Sequence, residues 1–481
     1  MKKESSYHHI LKYTGVFGGV QILSILIGLV RNKVIAILLG PLGLGLITIY
    51  NTAVAFIHNS TNFGLQMSGV REISCAFDKG DEREVNRLIA LLRSWSVIAA
   101  LLGFSVALAL SGILSQWAFS SYDYSMQFAS LSVVLAMNAV TGGETAILKA
   151  TRRLKELAKA SVIGVLLALC ISVPLFLKWS YEAIIPSIIL ISLIQMLLTL
   201  SFSCRYYRPG IFKGWGRLKE GRKMIAVGTA FVLSGAMGSG AEFAVRAYLS
   251  DMSVSLAGLF NTGYMLTMTY AGMVFAAMET DYYPHLSAVC HDADKMNGAV
   301  NRQIEVSLMI IAPLLVILMF GLQVLVPLLF SGKFLPVVGM TQITVMAMYV
   351  RAISLPVAYI LLAKGDSKAY LLTEMVYDVL IVVTVIFGYT NWGLEGTGIA
   401  LVVTSLLHCI CVSMYSILCF GLEFKSSLMK SLLLQILLGL VSLFAVRHTE
   451  GVAYILSAAF LFLCSAGLSW SMYRRLFRRN G

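Results

Sequence analysis

The chain of 481 residues is 58% hydrophobic and 13% charged, with a mean hydropathy of +0.81 and a formal net charge of +13. No soluble domain of this length is built with so little polar surface, so the composition specifies an integral membrane protein and leaves no room for a separate catalytic domain. With no basic soluble domain to carry it, the positive charge excludes nucleic acid as a partner and belongs to topology and anionic headgroups.

Taken in chain order, runs long enough to cross roughly 30 Å of hydrocarbon as helices are predicted near 14–38, 43–69, 88–114, 126–148, 157–178 and 183–204. Eight more follow near 224–248, 254–279, 304–329, 338–362, 370–390, 396–420, 428–446 and 452–472, which makes an all-α polytopic protein of about fourteen spans. The opening "MKKESSYHHILKYTG" sets basic residues before a run too long for a signal peptide, so it is expected to stay as the first span. Placing both termini in the cytoplasm puts "REISCAFDKGDEREVNR", "KATRRLKELAK", "RYYRPGIFKGWGRLKEGRK", "KGDSKAY" and the tail "MYRRLFRRNG" on that side. Opposite connections such as "SQWAFSSYDYSM" and "YTNWGLEG" hold no Lys or Arg, as the positive-inside rule requires.

An internal repeat organises these spans. "RNKVIAILLGPLGLGLITIYN" (31–51) and "AVRAYLSDMSVSLAGLFNTGY" (244–264) each place cations late in one helix, turn, and enter the next through Gly-Leu. Chance similarity between two apolar helices is the alternative. The longest basic loop, 205–223, sits where a six-plus-six repeat has its joint, as in transporters built from parallel repeats. The expected division is a bundle over 1–210, a second over 211–422, and two further helices with a basic tail over 423–481.

Charged residues inside spans are costly, so Arg31, Lys33, Glu242, Arg246 and Arg351 are expected to face a wet cavity or a partner. Arg31 and Lys33 differ by about 200° on a helix, and Arg31 is the better candidate because Lys33 can snorkel to the interface. Glu242 and Arg246, four apart, can pair with each other or leave Arg246 for a ligand. Arg351 has no acidic neighbour in its own helix. Asn51, His58, Asn62 and Gln66 form a polar stripe on span two, and Asn261, Tyr264, Thr267 and Tyr270 another on span eight. Either stripe can serve a polar substrate or bond neighbouring helices. Glu374 and Asp378 are candidates for ion coupling, although Lys364 and Lys368 can neutralise them. Glu144 looks like a surface charge beside a basic loop. The eight cysteines read as small apolar residues with no metal spacing. No P-loop, HExxH or GxSxG pattern occurs, so neither an enzyme nor a cofactor is expected.

"LLGPLGLGLITIYN" after a basic first span, "METDYYPHLSAV" leaving span eight, and "GLEGTGIALVVT" opening span twelve resemble, in order and spacing, the O-antigen translocases. These are Wzx-type flippases of lipid-linked oligosaccharides in the multidrug/oligosaccharidyl-lipid/polysaccharide exporter (MOP) superfamily. The resemblance implies two six-helix bundles around a V-shaped cavity in a bacterial inner membrane, working by alternating access. It also implies an undecaprenyl-diphosphate-linked oligosaccharide as substrate and polysaccharide polymerase machinery as a partner. More distantly, the chain is similar to the lipid II flippases, whose first-span arginine matches Arg31. Arginine suits a diphosphate because its planar fork makes two charge-assisted hydrogen bonds at once. The competing reading is a multidrug extruder of the same superfamily, which should place unpaired carboxylates rather than cations in its cavity. A membrane-embedded glycan polymerase is disfavoured by the short outer connections.

Overall fold

The structure is a computed structural model that describes residues 2–207, 216, 218 and 220–478. The centre of the basic loop expected at 205–223 and the last three residues of the basic tail lie outside the described residues. Among the described residues fifteen α-helices run in the order α1 (Lys2–Thr61), α2 (Leu65–Asp78), α3 (Glu82–Phe119), α4 (Ser125–Ser130), α5 (Ser132–Ala150), α6 (Leu154–Trp179) and α7 (Ile184–Cys204), followed by the eight helices of the second half. Those are α8 (Arg222–Met252), α9 (Val254–Tyr264), α10 (Met273–Val289), α11 (Ala293–Leu329), α12 (Val337–Ala363), α13 (Ser367–Phe420), α14 (Ser426–His448) and α15 (Gly451–Arg478). No strand occurs among the described residues.

Nine helical stretches among the described residues are long and apolar enough to cross a membrane, and some of these hold two crossings. α1 breaks at Gly40, whose φ of 62° precedes Pro41, a residue that cannot donate to the preceding turn. α13 breaks at Trp392 and Gly393, and the two arms touch where the backbones of Gly388 and Gly396 leave no room for a Cβ. α6 and α7 are joined by a single 3₁₀ turn, Ser180–Ala183. Counted this way, α1, α3, α5 to α8, α9 with α10, and α11 to α15 make about fourteen crossings of a multi-pass membrane protein.

Short polar connections end in aspartate caps. Asp81 accepts hydrogen bonds from the amides of Arg83 and Glu84 at 3.1 and 3.0 Å to open α3. Asp292 does the same for α11 through the Lys295 amide, which together with the Lys295 side chain holds its carboxyl below the usual carboxylate range. Asp366 opens α13 through Ala369. Its carboxyl is likewise lowered, first by the Tyr415 hydroxyl donating at 2.6 Å and then by that amide.

The helices cluster into two compact units, Met1–Gly258 and Leu259–Gly481. The first has a core of α2, α3 and α5 built on Leu65, Ile73, Ile89, Leu92 and Ile147. Beside it lies a buried ion pair: Arg93 Nε and Nη2 donate to the two Glu144 carboxylate oxygens at 2.7 and 2.9 Å. Arg93 also donates to the Tyr207 carbonyl and to Ser203 Oγ. The expectation that Glu144 is a surface charge is therefore wrong; it is 3% exposed, and a bidentate arginine from α3 explains how its charge survives there. In the second unit α12 is buried on nearly every side, as apolar residues all round a helix demand, with Arg351 its one charged side chain. α14 and α15 are clasped by Gln435, which donates to the Ser465 carbonyl and Ser469 Oγ and accepts from Ser465 Oγ.

The two repeat segments meet inside the first unit. Aligning Arg31 with Ala244 sets Pro41 opposite Val254 and Gly45 opposite Gly258. A Cβ on Gly45 would strike the carbonyl oxygen of Val254, and one on Gly258 would strike that of Pro41. Each glycine thus packs on the counterpart of its partner's contact, the reciprocal pattern that a two-fold relation produces.

Candidate functional site

In the first unit the site residues sit on α1 and α8, which pack along Phe56 and Phe243, stacked at 6.3 Å. Asn59 Nδ2 adds a hydrogen bond to the Gly235 carbonyl at 3.4 Å. Arg31 lies nine residues before the Gly40 break, half-buried, with an Nε that has no hydrogen-bond partner. Lys33 is also half-buried. Arg246 is buried and bound to its own helix, with Nη1 3.3 Å from the Glu242 carboxylate and 3.1 Å from the Glu242 carbonyl oxygen. Glu242 itself is about half exposed.

The stripe expected from Asn51 through His58 and Asn62 to Gln66 is interrupted. α1 ends at Thr61, and Phe63 and Gly64 adopt φ of 53° and 64° before α2 begins. Asn62 Oδ1 accepts from the Gly64 amide at 2.8 Å, so this side chain shapes the turn. The turn is needed because Gly64 packs directly on the Gly228 backbone of α8. Asn51 is exposed and His58 half-buried on the α1 arm that remains.

In the second unit three elements bring charges together. Arg351 of α12 reaches Met268 Sδ at 3.3 Å, and its buried Nε has no hydrogen-bond partner. Its charge acts on both Glu374 and His408, from the two arms of α13. Glu374 Oε1 lies 3.7 Å from His408 Nε2, and the Tyr377 ring meets the imidazole edge-on at 5.2 Å. The expected neutralisation of Glu374 by Lys364 and Lys368 is not what is found. Lys364 Nζ sits over the Phe420 ring, Lys368 is exposed near Asp366, and the histidine of the opposite arm takes the place beside Glu374. Asp378, one turn further along, is half-buried. His408 is the residue that sequence reasoning missed, although an imidazole inside "SLLHCIC", deep in a span, is itself a functional signal.

The stripe on span eight is altered by backbone winding. Met265–Ala271 forms a π-helical segment, which turns through fewer degrees per residue than an α-helix and so rotates the faces that α-periodicity assigns. Thr267 is buried with its hydroxyl donating back to the Gly263 carbonyl. Asn261 and Tyr264 are half-buried, and Tyr264 packs on Phe260 at 6.0 Å. Met268, the neighbour of Arg351, belongs to this segment. Among the described residues no cluster of His, Cys, Asp or Glu could hold a metal ion.

The sequence profile of the polysaccharide biosynthesis proteins matches residues 34–339, more than half of the chain. The chain belongs to that family. Its fold is that of the MOP superfamily. The solved "Lipid II flippase MurJ, inward closed conformation" superposes with a TM-score of 0.69 at 14% identity, covering 96% of this chain and 99% of that one. An inward-facing "multidrug resistance MATE family transporter of the MOP superfamily" gives 0.70 at 14% identity over 89% and 96%. The MATE multidrug transporter DinF-BH gives 0.61 at 15% over 86% and 97%. No curated protein matches the sequence. The family profile places the chain among the polysaccharide biosynthesis proteins, and the solved structures share its fold.

Proposed function

We propose that this polysaccharide biosynthesis protein is a flippase of the O-antigen translocase type, moving an undecaprenyl-diphosphate-linked oligosaccharide from the cytoplasmic to the periplasmic leaflet of a bacterial inner membrane by alternating access. The observation that carries the reading is the state of the cations inside the spans: Arg31 and Arg351 each hold a buried Nε donor with no acceptor. A buried donor without an acceptor is costly, and a diphosphate supplies acceptors and negative charge together. The carboxylates inside the spans have cations at hand: Glu242 pairs with Arg246, and Glu374 lies within the field of Arg351, with His408 Nε2 3.7 Å away. An exporter of organic cations needs the reverse arrangement, which ranks that reading second.

In this proposal Arg31 in the first unit and Arg351 in the second are each candidates for holding the diphosphate. Asn51, His58, Asn261 and Tyr264 contact the glycan, with Arg246 and Asn62 supporting them from their local pairings. Glu374 with His408 couples movement to an ion or proton, and Asp378 stands next in line. The bundles 1–210 and 211–422 are the moving repeats, with both termini cytoplasmic. Leaflet-resolved accumulation of lipid-linked oligosaccharide, measured in cells at matched expression, is the test. Arg351→Ala should block export while the protein stays in the membrane, and normal export with that variant would remove the assignment. Reporter fusions near residues 80, 155, 215 and 365 and at the C-terminus should give cytoplasmic signals.

A further inference from the structure

A second concentration of positive charge lies in the second unit, away from Arg351, in a cavity of about 890 Å³. Its walls come from four elements: the end of α10, the start of α11, the start of α14 and the end of α15. Arg302, Lys425, Arg474 and Arg475 line it, and none of these four forms an ion pair with a carboxylate among the described residues. Lys295 is partly neutralised by Asp292 at 3.0 Å, and Glu305 is the acidic residue of the lining. The positive-inside rule explains cations on one side of a membrane, but not their convergence from separate helices on one hollow.

The hollow is built rather than incidental. Two asparagines one turn apart on α11 fasten the chain that leads into α14. Asn297 Nδ2 donates to the Gly421 carbonyl at 3.0 Å while its Oδ1 accepts from the Glu423 amide. Asn301, 1% exposed, donates to the Glu423 carbonyl at 2.8 Å and accepts from the Lys425 amide at 2.9 Å. This fixes Lys425 against α11. On α15, Arg474 lies 5.6 Å from the Trp470 ring, which is itself stacked on Tyr473 at 5.4 Å. Paired aromatic rings mark the level of a membrane interface. Beyond the cations, both helices continue into exposed apolar side chains, Leu433 and Leu437 on α14 and Phe460 and Leu463 on α15.

We propose that this cavity is a binding site for a phosphate-bearing anion, separate from the transport site. Its cations take the phosphate oxygens, and the apolar surfaces next to them suit a lipid whose headgroup carries that phosphate. A soluble phosphate or diphosphate shares the chemistry without the chains.

The full-length protein, purified in detergent, would be titrated with phosphatidylglycerol, with zwitterionic phosphatidylcholine, and with inorganic diphosphate. Bound ligand would be read by native mass spectrometry and by the thermal midpoint. Phosphatidylglycerol should be retained at least tenfold better than phosphatidylcholine. The triple variant Arg302→Gln, Arg474→Gln, Arg475→Gln should lose about a hundredfold in affinity, roughly fivefold for each cation removed. Ser427→Glu adds a carboxylate to the exposed lining while leaving every cation in place, so it should also lose binding and guards against misfolding of the triple variant. Lys430→Gln, on α14 but outside the lining, should bind as the parent does. Protection by diphosphate equal to that by phosphatidylglycerol would assign the site to a soluble anion. Undiminished phosphatidylglycerol binding by Ser427→Glu, or equal loss in Lys430→Gln, would overturn the proposal.

Discussion

The segments 31–51 and 244–264 share a backbone plan and differ in how they treat charge. Both run a helix into a turn and pack a glycine on the other's first residue after that turn. The turns are made differently, by the positive φ of Gly40 in one and by an extended Ser253 in the other. The cation of the second segment, Arg246, corresponds to Lys33 of the first. Arg246 has Glu242 four residues before it and is tied down; the matching position before Lys33 is Leu29, so that helix offers no carboxylate there. One backbone geometry can thus carry a neutralised arm and a charged arm whose own helix supplies no carboxylate at the matching position. Charge in a span is a local choice, made by one residue a turn away, while the packing is shared.

The shared packing is most exposed to mutation at its glycines. Gly45→Leu and Gly258→Leu force a side chain into a carbonyl oxygen that cannot move aside, and each should cost about 3 kcal/mol or more. Fluorescence-detected size exclusion should show loss of monodisperse protein for both, whereas Gly28→Ala, with open space around it, should behave as the parent. Survival of one leucine variant but not the other would refute the reciprocal contact.

Next in size is the charged arm. Arg31→Gln should reduce flipping by roughly ten- to a hundredfold, the worth of a charge-assisted hydrogen bond of about 1.5–3 kcal/mol. Arg31→Lys should retain part of the activity because it keeps charge but loses the fork. Lys33→Gln should flip nearly as the parent does. A block by Lys33→Gln without one by Arg31→Gln would reverse the assignment.

The two turns should respond unequally. Gly40 has ψ of −165° with its positive φ, a region nearly closed to other residues, so Gly40→Ala should destabilise by about 1–3 kcal/mol. Ser253→Ala, at φ −168°, should shift the thermal midpoint little. A modest effect belongs to the neutralised arm. Glu242→Gln strands a buried arginine, but Glu242 is half exposed to solvent screening, so about 1 kcal/mol is expected rather than the roughly 3–5 of a fully buried pair. Replacing both partners by leucine should recover most of it, and a double-mutant cycle measures the coupling.

Much of this is legible in the sequence. The spans could be read because hydrocarbon demands about twenty apolar residues with every backbone group satisfied internally, a constraint that acts residue by residue. The paired segments were legible because Gly-Leu after a turn recurs at matched positions. Polar stripes were less secure, since a left-handed turn at Phe63 and Gly64 and a π-helical segment at Met265–Ala271 each shift the phase on which a stripe depends. Arg93 and Glu144 lie 51 residues apart in sequence, and nothing local announces that they meet.

Residue order alone was enough to establish a helical membrane protein with about fourteen crossings, and to show which charges sit where hydrocarbon should be. Packing decided which of those charges are already answered. Arg246 found its carboxylate within its own helix, Arg93 found Glu144 from another helix, and Glu374 was brought to 3.7 Å from the His408 imidazole across a hairpin, a contact that is an ion pair only when that ring is protonated. The distinction is one of range: insertion into lipid depends on local composition, whereas an ion pair depends on atoms a few ångströms apart that the chain brings together only when its helices pack.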